Sequence, residues 1–157
     1  MDVFNIITAK PVLIGFHLGF AIAGIDAFLW FLGEIKNGAW RSWRVKIPAF
    51  IGLFSFLLSW IFGGYYYVKF YGSLVKPLIK TGSASWAHNI MMETKEHIFL
   101  FIIPLAFTAS LITFLNKEQF EALNIKRPTM ILAGVIAGIG LAVGILGFMV
   151  SAAARWG

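Results

Sequence analysis

The chain has 157 residues, of which 59% are hydrophobic, 17% aromatic and 13% charged, against roughly 45–50% apolar and 25% charged in an ordinary soluble domain. A soluble core of this size cannot absorb that apolar surplus, and the absence of cysteine excludes disulfides, thiolate nucleophiles, iron–sulfur clusters and cysteine-bound zinc within the chain. The formal charge of +6 is spread over loops with no polybasic run, which argues against nucleic acid and for contact with the headgroups of a lipid bilayer.

The first apolar run, Pro11 to Leu32, exceeds the about 20 residues a helix needs to cross the hydrocarbon. "AIAG" at Ala21 to Gly24 offers the small-x-small pattern of a signal-peptide cleavage site. However, the preceding region sets only Lys10 beside Asp2, and the run continues past the cut, so it reads as a retained helix. Two ionisable residues interrupt it, His17 and Asp26. An Asp inside a span costs on the order of 2.5–3.5 kcal/mol on insertion scales, which makes each a functional candidate. Their nine-residue spacing, at 100° per residue, places them on opposite sides of a regular helix, so only one can face a central site.

A loop with Arg41, Arg44 and Lys46 leads to the second span, Ile47 to Val68. Pro48 falls at its start, where a missing N–H costs nothing. The stretch from Tyr65 to Ser85 mixes four tyrosines, three lysines and apolar residues. It reads as an interfacial segment in the headgroups, partly helical, interrupted at Pro77 and Gly82, and a plain linker rather than a lid.

The third span, His97 to Leu115, carries a helical extension from about Ser85 and opens on "WAHNIMMETKEHIFLF". In a continuous helix His97 shares a face with Glu93, and His88 shares one with Met92 and Lys95. Those first turns stand beyond the hydrocarbon, so His88 is expected to be wet. Pro104 can tilt this helix, and Asn116 is its expected end. The fourth span, Met130 to Ala153, follows Pro128 and spaces Gly134 and Gly138, and Gly140 and Gly144, four apart. That spacing suits close packing within the bundle first and a homodimer seam second. Trp40, Trp43, Tyr65 to Tyr67, Trp86 and Trp156 sit near span ends as interfacial anchors do.

The predicted architecture is all-α: one integral membrane domain over residues 1–157, a four-transmembrane-helix bundle with an interfacial segment between helices 2 and 3. Seven loop cations on one side against six on the other, with the Arg41 to Lys46 cluster beside the first span, put the N-terminus outside the cytoplasm in a multi-pass membrane protein.

The first and third spans start on the same side, so His17 and His97 lie in one leaflet, within about 10 Å in depth, on helices that pack about 8–10 Å apart. The expectation is one haem b with His17 and His97 as axial ligands, in a slot formed by Phe16, Phe20, Phe99, Phe101, Gly15 and Gly19. This layout resembles that of membrane b-type cytochromes, although such proteins often place two histidines on each of two helices. The resemblance implies electron transfer, with a quinone or a partner redox protein at the end near Tyr71 to His88. The alternative ligand is a single metal ion: iron or zinc on His17, His97 and Glu93, or copper(I) on His88 with Met91 and Met92. A different class is a compact four-span transporter or channel in which Asp26 binds a cation or proton, and a third is an accessory subunit without chemistry.

Overall fold

The computed structural model describes residues 3–38, 40 and 42–156; Arg41, counted above among the loop cations, and the side chain of the Trp156 anchor lie outside them. Every regular element among these residues is helical. A short α1, Val3–Ile7, precedes α2, Lys10–Lys36. The first turn of α2 tolerates Pro11, and its last turn carries Lys36, favourable beside the helix C-terminal dipole. It stops at Asn37 and Gly38, the latter at φ +71°, a conformation glycine adopts without steric cost.

Helix α3 spans Ser42–Tyr66, so it begins before the expected span and Pro48 lies inside it. It runs on through a π-helical stretch, Tyr67–Val75, into α4, Lys76–Thr81, which ends at Gly82. The segment expected to be interfacial and partly helical is thus mostly helical and continuous with the second spanning helix; it breaks at Gly82 as expected, while Pro77 is accommodated in the first turn of α4. A second π-helical stretch, Ala87–Met92, feeds α5, Glu93–Ile112. Asn116 does not end α5. It caps α6, Lys117–Ala122, accepting from the Gln119 N–H at 2.8 Å while the Gln119 side chain accepts from the Asn116 N–H at 2.9 Å. Helix α7, Lys126–Trp156, completes the chain.

Four helical segments are long and apolar enough to cross a membrane: Lys10–Lys36, Trp43–Thr81, Ala87–Ile112 and Lys126–Arg155. Helix α2 packs chiefly on α3 and then α7, and α5 on α7 and α3. Their shared core holds Phe28, Phe31, Phe56, Ile102, Ala106 and Ile136, all essentially solvent-free. Glycines admit the rings: a Cβ at Gly52 would fall 2.5 Å from Phe28, and one at Gly24 2.8 Å from Phe56. The outer surface is apolar, with Phe54, Ile61, Phe101, Phe107 and Phe148 exposed. Such a belt suits acyl chains and would drive aggregation in water.

A second, smaller core caps the end where α5 begins. Tyr71, Val75, Ile79, Ala84, Ala87 and Met92 bury themselves there against Val150 and Ala153 of α7.

Candidate functional site

Helical phase decides what α5 offers the bundle. Ile102, Ala106 and Ala109 mark its inner stripe, and Lys95, seven residues or two turns before Ile102, falls on that stripe. His97 points the other way: it is exposed, with Nδ1–H donating to the Glu93 carbonyl at 2.7 Å one turn back. The pair expected to share a ligand is therefore separated. His17 faces the interior of the bundle and His97 its outside. In the sequence Lys95 stands out only as a residue sharing a face with His88, yet the run of small and apolar residues two to four turns later marks the side it faces.

His17 is fixed by Ser59 of α3. Nδ1 lies 2.9 Å from the Ser59 carbonyl oxygen and 3.0 Å from its Oγ, and that Oγ donates back to the His17 carbonyl at 3.0 Å. A carbonyl only accepts, so in the neutral ring the proton sits on Nδ1 and Nε2 keeps its lone pair. Gly63 makes the pose possible, since a Cβ there would fall 2.5 Å from Nδ1.

His17 and Lys95 line one cavity of about 40 Å³. Its far wall is the glycine face of α7: Gly140, which packs on Ile25 and Phe56, then Gly144, then Gly147, where a Cβ would lie 3.3 Å from Lys95 Nζ. Leu18 of α2 and Gly144 of α7, both in its lining, are exposed, so the cavity lies at the outer surface of the bundle. Among the described residues no carboxylate lies within ion-pair distance of the Lys95 ammonium. Lys95 belongs to the apolar segment Ala87–Ile112, and an inward-turned ionisable group without a counter-charge in such a segment is a candidate site.

Polar groups continue from this cavity to the end of the bundle. Glu96 neighbours Lys95, and its Oε1 is buried without a hydrogen-bond partner. Its carboxylate lies close to the Tyr67 hydroxyl. Tyr67 stacks on Tyr71 with centroids 5.1 Å apart, and the Tyr71 hydroxyl is 2.9 Å from His88 Nδ1. His88, expected to be wet, is only 3% exposed: the small core closes over it. The π-helical stretches bracket this pairing, a geometry that is rare and concentrates at functional sites. In the opposite direction the polar path stops at Phe56, Phe28 and Ile102.

No group of three or more His, Asp or Glu residues among the described residues is placed to hold a metal ion, so His17, Glu93, His97 and His88 do not form the expected metal set. A porphyrin does not fit the cavity beside His17, which is far below the roughly 300–1,000 Å³ of a cofactor pocket. Gly15 and Gly19, expected to line that slot, border open space on the outside of α2. Asp26 is also on the outside, exposed, half a turn from the His17 face. Of the α7 glycines expected to pack within the bundle or form a homodimer seam, Gly140 packs inward, while Gly134, Gly138 and Gly144 have no neighbour within reach of a Cβ.

Compared with known proteins, the chain matches no family model, no curated protein and no solved structure.

Proposed function

We propose that the chain is a multi-pass integral membrane protein, N-terminus outside, that binds the headgroup of a quinone-type molecule at His17 and Lys95 and exchanges protons with it. Electrons come from a partner redox protein. The observation that carries this reading is one cavity lined by both His17, whose Nε2 is left as a hydrogen-bond acceptor, and Lys95, whose ammonium donates, with the exposed Leu18 and Gly144 also in its lining. A quinone carbonyl takes a hydrogen bond from Lys95, and the hydroxyl of the reduced form gives one to His17. A space of about 40 Å³ admits the oxygen end of such a group and leaves the ring and tail between the helices at the lipid face. The groups from Glu96 through Tyr67 and Tyr71 to His88 supply protons from one side only, because the phenylalanines beyond the cavity bar the other. A path that ends at a site suits a reaction that consumes protons and does not suit an open channel.

The test is quinone binding to the purified protein in nanodiscs, followed with a short-chain ubiquinone analogue. Wild type is expected to bind, and His17→Ala and Lys95→Met are expected to weaken binding at least tenfold, with His97→Ala unchanged. Equal binding by wild type and Lys95→Met would remove the proposal. An optical spectrum of the same samples addresses haem b: a Soret band abolished by His17→Ala and by His97→Ala would restore bis-histidine ligation in its place.

A further inference from the structure

Asp26 lies 16 residues after Lys10 and 10 before Lys36, the ends of α2, or about 24 Å and about 15 Å at 1.5 Å per residue. The helix is about 40 Å long by the same rise and the hydrocarbon about 30 Å thick. Even with the entire overhang at the Lys36 end, Asp26 remains about 5 Å inside the apolar layer. It is exposed on the outside of the bundle and has no hydrogen bond or ion pair among the described residues. Ile22, Leu29 and Trp30 flank it one turn away and are exposed too, and two to three turns along the same face come Gly15, Gly19 and Gly33, where a Cβ would meet nothing within 4 Å. They leave the α2 backbone open to close approach by another helix.

We infer that this face receives a transmembrane helix of a different chain carrying a Lys or Arg at mid-span. Charge complementarity makes the choice. At this depth a second copy of the chain offers Asp26 only another Asp26, or Thr108, whose hydroxyl already donates to the Pro104 carbonyl at 2.8 Å; Lys95 is turned inward, Arg44 and Lys46 sit in the first two turns of α3, and Lys69, Lys76 and Lys80 come about 40 Å or more along the same continuous helix, beyond the far face of the hydrocarbon. A cation on the partner neutralises the carboxylate in a medium where neither charge is tolerated alone. The glycines set how near the two backbones come and do not by themselves select the partner.

The probe is a synthetic leucine-rich transmembrane peptide with one central lysine, labelled for energy transfer and reconstituted with the labelled full-length protein in phosphatidylcholine vesicles. Association with wild type is expected to be at least tenfold stronger than for the same peptide with a central leucine. Asp26→Leu, which removes a lipid-exposed carboxylate and so preserves the fold, is expected to abolish that difference, and Asp26→Lys is expected to transfer the preference to a peptide with a central aspartate. Equal association of the lysine and leucine peptides with wild type overturns the inference. So does self-association of the purified protein that Asp26→Leu abolishes, since the occupant is then a second copy. Quinone binding at His17 is read separately and is expected to be untouched by these variants.

Discussion

At the scale of single residues, the site depends on what is missing as much as on what is present. His17 keeps the lone pair of Nε2 free because Ser59 takes its Nδ1 proton, and the ring reaches Ser59 because Gly63 has no Cβ. Gly63→Ala is therefore expected to push the imidazole off Ser59. Because a Cβ at 2.5 Å meets a ring atom rather than the end of a flexible chain, the loss in quinone binding should approach that of His17→Ala while far-UV circular dichroism stays helical. Ser59→Ala is the milder companion, removing the hydroxyl but not the carbonyl that orders the ring. The sequence announces His17 by chemistry, as an imidazole inside an apolar run. Lys95 is announced only by phase, through Ile102, Ala106 and Ala109 downstream. His97 and His17 share a leaflet, but depth fixes one coordinate of a side chain and rotation about the helix the other.

At the scale of elements, the informative pieces are the two π-helical stretches and α4. Nothing in the composition of Tyr65 to Ser85 separates a headgroup linker from a docked helix, because both mix tyrosine, lysine and apolar residues. What decides is tertiary: Tyr71, Val75 and Ile79 find the end of α7 to pack on. The four spans, by contrast, are legible from hydropathy alone, since lipid demands about 20 apolar residues whatever the fold. The closing segment is held by few contacts beyond its small core, so its polar pair counts. Tyr71→Phe leaves His88 Nδ1 buried without a partner and is expected to destabilise the segment by about 1–3 kcal/mol. Hydrogen exchange should quicken across residues 67–92 while the cores of α2 and α7 keep their protection. Unchanged exchange in that segment would mean the hydrogen bond does not hold it.

At the scale of the molecule, the bundle is asymmetric from end to end. One end carries the titratable series from His88 to Lys95. The other is closed by the Arg44 to Glu34 ion pair at 3.0 Å, with Trp30 donating to Glu34 at 3.1 Å and Trp40 stacked on Phe120. Between them stand Phe28, Phe56 and Ile102. Phe56 is flanked by Gly24 and Gly140, which have no side chains to fill a void. Phe56→Ala is thus expected to cost about 3–5 kcal/mol and to join the cavity to the far half of the bundle. Vesicles loaded with a pH-sensitive dye should then leak protons under a valinomycin-driven potential, where wild type holds. A tight Phe56→Ala vesicle would place the barrier elsewhere.

The far end of α7 belongs to two structures at once. Gly140 to Gly147 form a wall of the cavity, and one to two turns further Val150 and Ala153 carry the floor on which Tyr71 and Met92 rest. A rigid rod fixed at both places transmits displacement with little loss. A displacement of the final turns of this helix would loosen the roof over His88 and shift the glycine wall beside Lys95 in a single stroke.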